Sequence, residues 1–280
     1  MRMTAPEFRR WDAKSITLLG MSGVGKTFLS TKLRESHWFH YSADYRIGTR
    51  YLSEPILDNI KRQAMQVPFL RELLRSDSIY ISNNITVDNL TAVLTFLGKL
   101  GGATHGGLDL PEFKRRQQLY RDAEVAAMLD VPEFIDKARA IYGYRHFVND
   151  SAGSLCELDD PEVLNVLAAN TLIVYIEATA ENGRELVKRA EADPKPLYYR
   201  TEFLDAELAH YLHARSLERV DQITPNDFVL WMFPRLFQAR IPRYEAIAKA
   251  HGYTVRADTL AAIETEADFV ACIEQVLEVG

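Results

Sequence analysis

Residues 20–27 read GMSGVGKT and match the pattern GxxxxGKS/T at every fixed position. The apolar run ITLL at 16–19 precedes them and favours a strand. The sequence FLSTKL at 28–33 follows with the apolar spacing of a helix. Strand, glycine-rich loop and helix in this order are the context in which the pattern is specific. The stretch therefore predicts a P-loop that binds the phosphates of a nucleoside triphosphate.

The residue types in this loop explain why it would bind phosphate. Glycines let the backbone curl so that N–H groups point inward, and the helix start adds unsatisfied donors and a positive dipole end. Lys26 is expected to contact the β- and γ-phosphates, and the Thr27 hydroxyl is expected to bind Mg²⁺. We therefore predict ATP and Mg²⁺ as cofactors. The predicted nucleotide-binding residues here are Gly20, Ser22, Gly23, Val24, Gly25, Lys26, Thr27 and Phe28.

Composition sets the broad class of the protein. The chain has 280 residues, is 47% hydrophobic and carries a formal net charge of −6. The acidic balance argues against sequence-independent nucleic-acid binding. Cys156 and Cys272 form no metal or disulfide pattern, no apolar run approaches a membrane span, and residues 1–14 lack the apolar segment of a signal peptide. We therefore expect a cytoplasmic globular protein with a sizeable core and no membrane association.

Alternating strand and helix patterns predict an α/β fold. The predicted strands are 15–19, 38–42, 145–149, 171–176 and 252–255. Helices between them imply a parallel sheet covered on both faces. We expect a single P-loop NTPase domain over 1–280, with a five-stranded parallel sheet flanked by helices. An inserted helical subdomain is predicted at 53–143, and a lid with an extended helical region at 193–226.

Polar residues at the ends of predicted strands are candidates for catalysis, since ligands of open α/β sheets bind there. Asp150 ends the third strand and is predicted to hold Mg²⁺, the alternative being a turn or cap aspartate. Asp44 follows the second strand and is predicted to orient or deprotonate an acceptor hydroxyl. Arg46 is predicted to bind an anionic substrate group, unless Asp44 and Arg46 form a solvated loop pair. Lys26, Asp44 and Asp150 are the predicted catalytic residues.

A basic segment follows the fourth predicted strand. Arg189 precedes the Asp-Pro-Lys-Pro loop at 193–196, and Lys195 is the lysine of this loop. A mobile basic segment can close over phosphates and neutralise developing charge, and we predict that these two residues bind the nucleotide. The alternative is a solvated basic helix end, which suits the helix dipole.

Two other groups of residues are interpreted as structural. His37 and His40 flank aromatic residues of the second predicted strand, and we interpret them as core or edge histidines. The basic residues within 114–121 are interpreted as a solvated helix face, although they could also bind an anionic partner.

Three further segments extend the P-loop match. They are SAD at 42–44, KPL at 195–197 and RIPRYEAIA at 240–248. Together with the P-loop they resemble the shikimate kinase and gluconate kinase branch of the P-loop kinases. That family carries Asp-x-Asp, Arg-Pro-Leu and Arg-x-Pro-x-Tyr-x-x-x-Ala at the corresponding places.

The resemblance implies a fold of the nucleoside-monophosphate-kinase type with the strand order 2-3-1-4-5. It also implies γ-phosphate transfer from ATP to a hydroxyl of a small, anionic acceptor. In that family the arginine of the last motif binds the acceptor carboxylate, and Arg240 would take this role. The alternative is that Arg240 caps or packs against its own helix. Residues 255–258 fall where the family binds adenine. The chain departs from the family at Ser42 and Lys195, and residues 150–153 replace a glycine run.

Three functions stay open at this point. The first is an ATP- and Mg²⁺-dependent small-molecule kinase. The second is a P-loop ATPase or nucleotide-dependent switch whose helical insert binds a macromolecular partner. The third is a non-catalytic nucleotide-binding protein, against which the intact Lys26-Thr27 pair argues. A small polar pocket under the insert would favour the kinase, and an exposed apolar or basic face would favour the second. The acceptor, the choice of adenine or guanine and the oligomeric state are left open.

Overall fold

A central parallel sheet organises the chain in the computed structural model, which describes residues 1–279. The strands are β1 (Ser15–Leu19), β2 (Trp38–Ser42), β3 (His146–Asp150), β4 (Leu172–Glu177) and β5 (Gly252–Arg256). Their order across the sheet is β2-β3-β1-β4-β5, and each neighbouring pair is parallel. The predicted α/β fold class and strand order are confirmed, and each predicted strand boundary agrees within one residue.

Helices form the connections between the strands. They are α1 (Ala5–Arg10), α2 (Lys26–Glu35), α3 (Ala43–Arg46), α4 (Ser53–Ala64), α5 (Pro68–Arg75), α6 (Thr91–Leu97), α7 (Leu110–Leu129), α8 (Val131–Ala140), α9 (Pro161–Asn170), α10 (Ala180–Ala192), α11 (Thr201–Ala214), α12 (Pro225–His251), α13 (Ala257–Ala261) and α14 (Glu266–Val279). The side chains of Asp109, Asp160 and Thr179 cap α7, α9 and α10 by accepting backbone N–H bonds. Among the helices of residues 1–279, none combines the length and apolarity that a transmembrane segment requires.

Both faces of the sheet are buried. Every residue of β1 is buried, as expected for a central strand of a covered parallel sheet. On one face Leu18 and Val148 pack with Leu29 of α2 and Phe269 of α14. The opposite face packs against α7, α8, α9 and α12. The strands therefore lie between two helical layers.

The helices between β2 and β3 and those after β4 close over the carboxyl ends of the strands. Residues of α4, α6, α7 and α8 share a hydrophobic cluster with Leu19 and Met21 at the start of the P-loop. A separate cluster joins Phe113 of α7 to Leu204 of α11 and Phe228 of α12. Across the described residues of α5, by contrast, no side chain is buried. This arrangement brings two distant parts of the chain to the mouth of the P-loop.

Candidate functional site

The P-loop joins β1 to α2 with a backbone that glycine adopts readily. Gly20, Gly23 and Gly25 have φ angles of 150°, 86° and 108°. A Cβ at Gly20 would also lie 2.8 Å from the carbonyl oxygen of Ile176. The loop residues Ser22, Gly23, Gly25 and Thr27 are exposed. The turn is thus shaped by glycine and accessible to a ligand.

The backbone of this loop presents hydrogen-bond donors. Val24 N–H donates to Met21 O at 3.3 Å, whereas the N–H groups of Ser22, Gly23 and Gly25 have no acceptor within residues 1–279. Helix α2 begins directly after Gly25, with no side-chain cap. Unsatisfied donors and the positive end of a helix dipole together fit a phosphate group.

Lys26 folds its side chain into the same loop. Its Nζ donates to Gly20 O at 2.7 Å and to Met21 O at 3.1 Å. Burial lowers the pKa of Lys26, while the carboxylates of Asp150 and Asp44 act in the opposite direction. An anionic phosphate is a stronger partner for a buried ammonium than these carbonyls are.

Asp150 ends β3 next to the P-loop and has a buried partner. The Oδ2 atom of Asp150 lies 3.5 Å from Nε2 of His40, and both side chains are buried. The strand register accounts for this pair, because Ser42 lies beside Asp150 and His40 is two residues earlier on the same face. The side chain of His40 is buried, which agrees with its interpretation as a core or edge histidine. Its contact with Asp150 is visible only in the structure.

The predicted Mg²⁺ ligands fit a metal that is held mainly by phosphate. No cluster of three or more His, Cys, Asp or Glu side chains suited to a metal occurs among the described residues. Mg²⁺ in phosphoryl-transfer sites uses one or two protein ligands with phosphate oxygens and water. The exposed Thr27 hydroxyl and the Asp150 carboxylate at the end of β3 are donors of the required kind.

Asp44 is held at the end of β2 by local and distant contacts. It lies in α3, whose N-cap Ser42 accepts a hydrogen bond from Tyr45 N at 3.3 Å. The Tyr120 hydroxyl of α7 donates to Asp44 Oδ1 at 3.3 Å. Burial and the nearby Asp150 raise the pKa of Asp44 to about 6, while Lys26 and the Tyr120 hydrogen bond lower it. A carboxyl group with a pKa near neutrality is suited to proton transfer.

Glu124 of α7 is a further acid of this region. Its Oε2 accepts the hydroxyl of Ser154 at 2.5 Å, whereas its buried Oε1 has no partner in the described chain. Burial raises the pKa of Glu124 to about 8, and Asp44 adds to the rise. The sequence analysis missed Glu124, because a glutamate within a long helix is most often solvated. One feature of the sequence could have indicated that Glu124 is buried. Tyr120 and Ala127 lie one helical turn before and after it, and both are suited to a buried helix face.

Arg240 of α12 is buried, and its Nη1 and Nη2 groups both donate to protein atoms. Nη1 donates to Gly153 O at 3.0 Å, and Nη2 donates to Tyr198 O at 2.9 Å. Its Nε lies 3.4 Å from Oε1 of the buried Glu157. Arg240 thereby ties α12 to the loop after β3 and to the segment before α11.

Arg46 is also engaged in contacts within the protein. Its Nε donates to Asp130 Oδ2 at 2.7 Å, and the Tyr51 hydroxyl donates to the same oxygen at 2.6 Å. The Arg46 guanidinium lies 4.8 Å from the ring centre of Phe134. These contacts attach α3 to α8.

The remaining predicted nucleotide-binding residues are at the surface. Phe28 of α2 is 59% exposed, and Arg189 of α10 is exposed. Lys195 Nζ lies 3.5 Å from Asp193 Oδ2 in a solvated pair. None of the described contacts joins Arg189 or Lys195 to the P-loop, so their predicted role requires a movement of this segment.

A small cavity, which we call the acceptor cavity, lies between the P-loop and the surrounding helices. Its volume is about 100 Å³, and it is lined by Ser22, Asp44, Leu90, Val93, Leu94, Leu97, Tyr120, Gly153, Ser154, Pro196, Leu197, Tyr198 and Arg240. Helix α6 supplies an apolar wall. A larger cavity of about 670 Å³ lies between α10 and α12, but its described lining contains none of Lys26, Asp44 and Asp150. Asp44 is the candidate catalytic residue that lines the smaller cavity, beside Ser22 of the P-loop.

Comparisons with known proteins find distant structural similarity and no related sequence. The chain matches no protein-family model and no curated protein sequence. It is similar to the solved shikimate kinase from Bacteroides thetaiotaomicron, with 15% identity and a TM-score of 0.44, over 95% of this chain and 98% of that one. It is also similar to shikimate kinase from Acinetobacter baumannii in complex with shikimate, with 12% identity and a TM-score of 0.35, over 84% of this chain and 99% of that one. Similarity at this level carries no argument about activity, which rests on the site itself.

Proposed function

We propose that the protein is an ATP- and Mg²⁺-dependent small-molecule kinase that transfers the γ-phosphate to a hydroxyl of a small acceptor. The observation that carries this proposal is the acceptor cavity, which places Asp44 next to the P-loop under the helices that follow β2. Hydrolysis of a nucleotide by water requires no such cavity, whereas transfer to a second substrate does.

In this proposal the P-loop positions the donor. The free N–H groups of Ser22, Gly23 and Gly25 bind phosphate oxygens, and Lys26 stabilises the charge on the transferring group. Thr27 and Asp150 would hold Mg²⁺, which when bound would neutralise charge on the β- and γ-phosphates. Arg189 and Lys195 would approach the phosphates when the segment at 193–196 moves.

The acceptor is positioned by Asp44. Its carboxylate accepts a hydrogen bond from the acceptor hydroxyl and takes the proton as the phosphate is transferred. The Tyr120 hydroxyl fixes one Asp44 oxygen, and the apolar wall of α6 excludes water from the reacting groups. Arg46 holds α3 in place through Asp130, which keeps Asp44 at the cavity.

A product assay tests the kinase proposal. The purified protein is incubated with ATP and Mg²⁺ and with hydroxy acids, polyols, sugars and nucleotides in turn, and both ADP and phosphorylated product are measured. We expect acceptor-dependent ADP release that matches product formation. ADP release that is the same with and without every compound, with no phosphorylated product, would overturn the proposal.

A second candidate function is a P-loop ATPase or switch with a macromolecular partner. The observation in its favour is α5, which carries several apolar side chains, none of them buried. Phe69 of this helix is 71% exposed. An exposed apolar helix face is typical of an interaction surface. Recovery of one stable partner only in the presence of ATP, and its loss in Phe69→Ser, would favour this function over the kinase.

A further inference from the structure

The hydrogen-bonding groups of the acceptor cavity restrict the kind of molecule that it can take. Among its described lining residues, Arg240 is the one with a permanent positive charge. Arginine has five N–H groups, and a bidentate carboxylate contact needs two that point the same way. The availability of Arg240 donors therefore decides whether an anionic acceptor can be bound here.

Most Arg240 donors are already bound to protein atoms. Nη1 donates to Gly153 O at 3.0 Å and contacts Met21 Sδ at 3.8 Å, which uses both of its N–H groups. Nη2 donates to Tyr198 O at 2.9 Å, and Nε faces Glu157 at 3.4 Å. Within the described chain two N–H groups have no hydrogen-bond acceptor: one on Nη2, and that of Nε, which is inaccessible to solvent and is held beside Glu157 in an ion pair without hydrogen-bond geometry. A carboxylate could gain a second donor only by stripping a buried carbonyl or Glu157 of its partner, which is costly.

The hydroxyl groups on the cavity wall are used as donors toward other residues. Ser154 donates to Glu124 Oε2 at 2.5 Å, and Tyr120 donates to Asp44 Oδ1 at 3.3 Å. A hydroxyl has one donor and two acceptor lone pairs, so both oxygens retain acceptor capacity. An ionised Asp44 is also an acceptor only. This wall therefore pairs well with a ligand that donates hydrogen bonds.

The carboxyl groups around the cavity also favour an uncharged ligand over an anionic one. Asp44 lines the cavity, Glu124 lies behind Ser154, and Glu157 faces Arg240. Burial raises the pKa of Glu124 to about 8, so this group is mostly neutral at pH 7 and becomes an additional anion as the pH rises above 8. A further anion would add repulsion at short range in a medium that screens charge weakly.

We propose that the acceptor is an uncharged small molecule with several hydroxyl groups, a polyol or small sugar, and that the cavity discriminates against its carboxylate counterpart. This inference rests on the proposed kinase function and deepens it. It replaces the expectation of an anionic acceptor, because Arg240 contacts mainly protein atoms and Arg46, which pairs with Asp130, is not among the described lining residues. The cavity volume of about 100 Å³ suits a small acceptor.

Matched pairs of acceptors test the inference on the wild-type protein. In each pair a carboxylate replaces one CH₂OH group: glycerol and glycerate, erythritol and erythronate, xylitol and xylonate. Phosphorylated product is measured directly, and kcat/KM is compared within each pair. We expect the neutral member to be preferred by at least about tenfold, or about 1.4 kcal/mol. Preference for the acid in these pairs would overturn this inference while the kinase function stands. No product from any member would overturn the inference, and the wider acceptor panel then decides whether the kinase function also fails.

A substitution links the preference to the cavity wall. Glu124→Gln keeps the shape of the side chain and replaces one acceptor oxygen with an N–H donor. At about pH 9, above the pKa of about 8 for Glu124, we expect the preference for neutral acceptors to fall in this variant by about threefold or more, because a neutral amide that can donate replaces an ionised carboxylate. The matched control is Glu133→Gln on the exposed face of α8, which should keep the wild-type ratio. A ratio that is unchanged in Glu124→Gln, with folding intact, would contradict the assignment of the preference to this wall.

Discussion

The hydroxyl of Tyr120, in the middle of α7, donates to Asp44 Oδ1 at 3.3 Å, although the two residues are 76 positions apart in the chain. Helix α7 belongs to the segment between β2 and β3, and Asp44 belongs to α3, which follows β2 directly. The hydrogen bond thus couples the helices of this segment to the proposed catalytic base. It also makes the protonation of Asp44 dependent on a residue that no local motif contains.

Tyr120→Phe should move the acid limb of the pH–rate profile to higher pH. Asp44 acts in its ionised form, so activity rises as pH increases through its pKa of about 6. The Tyr120 hydrogen bond stabilises the carboxylate, and its loss raises this pKa. We expect a shift of roughly 0.5–1 pH unit in kcat/KM. Tyr142→Phe, at an exposed position, is the control, and an acid limb that coincides with wild type would remove Tyr120 from this role.

Lys26→Ala should abolish turnover and weaken triphosphate binding. The β- and γ-phosphates lose a positive charge that is buried in the loop. Loss of one such stabilising group typically lowers kcat by at least about 10²-fold. Turnover is measured by ADP release and affinity by titration with a fluorescent ATP analogue. Lys61→Ala on α4 is the control, and normal turnover in Lys26→Ala would disprove phosphate binding at this loop.

Glu124→Gln should change how stability depends on pH. The pKa of Glu124 is about 8 in the folded protein, above its ordinary value, so the folded state binds more protons between the two values. Wild-type stability contributed by this group is therefore present at low pH and lost as pH rises toward 8. Glutamine does not titrate, so the variant should gain on the order of 1–3 kcal/mol relative to wild type between about pH 5 and about pH 8.

Urea unfolding across this pH range measures the difference. Glu133→Gln, whose side chain is 59% exposed, should show no such trend. A free energy of unfolding that runs parallel to wild type at every pH would mean that Glu124 is ionised in the folded state.

Arg240→Lys should destabilise the protein more than it changes substrate affinity. Lysine cannot reach Gly153 O, Tyr198 O and Glu157 together, and at least one buried group would lose its partner. We expect a loss of about 2–4 kcal/mol with the KM for ATP nearly unchanged. Arg62→Lys on α4 is the control. A stable variant whose acceptor KM rises by about tenfold would show instead that Arg240 grips an anionic acceptor.

Features that depend on residues close together in the chain can be predicted from the amino-acid sequence alone. The strands from β1 to β5 are apolar runs between helical patterns, and the P-loop is a contiguous stretch whose glycines and Lys26 act together. The parallel direction of the strands follows from their alternation with helices, as in other α/β folds. Such features are readable because their cause is local spacing and residue type.

The groups that surround the acceptor cavity cannot be predicted from the sequence, because the tertiary structure brings them together. The contacts of Tyr120 with Asp44, of Glu124 with Ser154 and of Arg240 with two carbonyls join residues at least 30 positions apart. A raised pKa or a used donor arises from burial and from partners on other elements, and no periodicity along the chain encodes either. For this reason the sequence does not reveal Glu124, and the motif around Arg240 does not show that its Nη1 and Nη2 groups donate to the carbonyl oxygens of Gly153 and Tyr198.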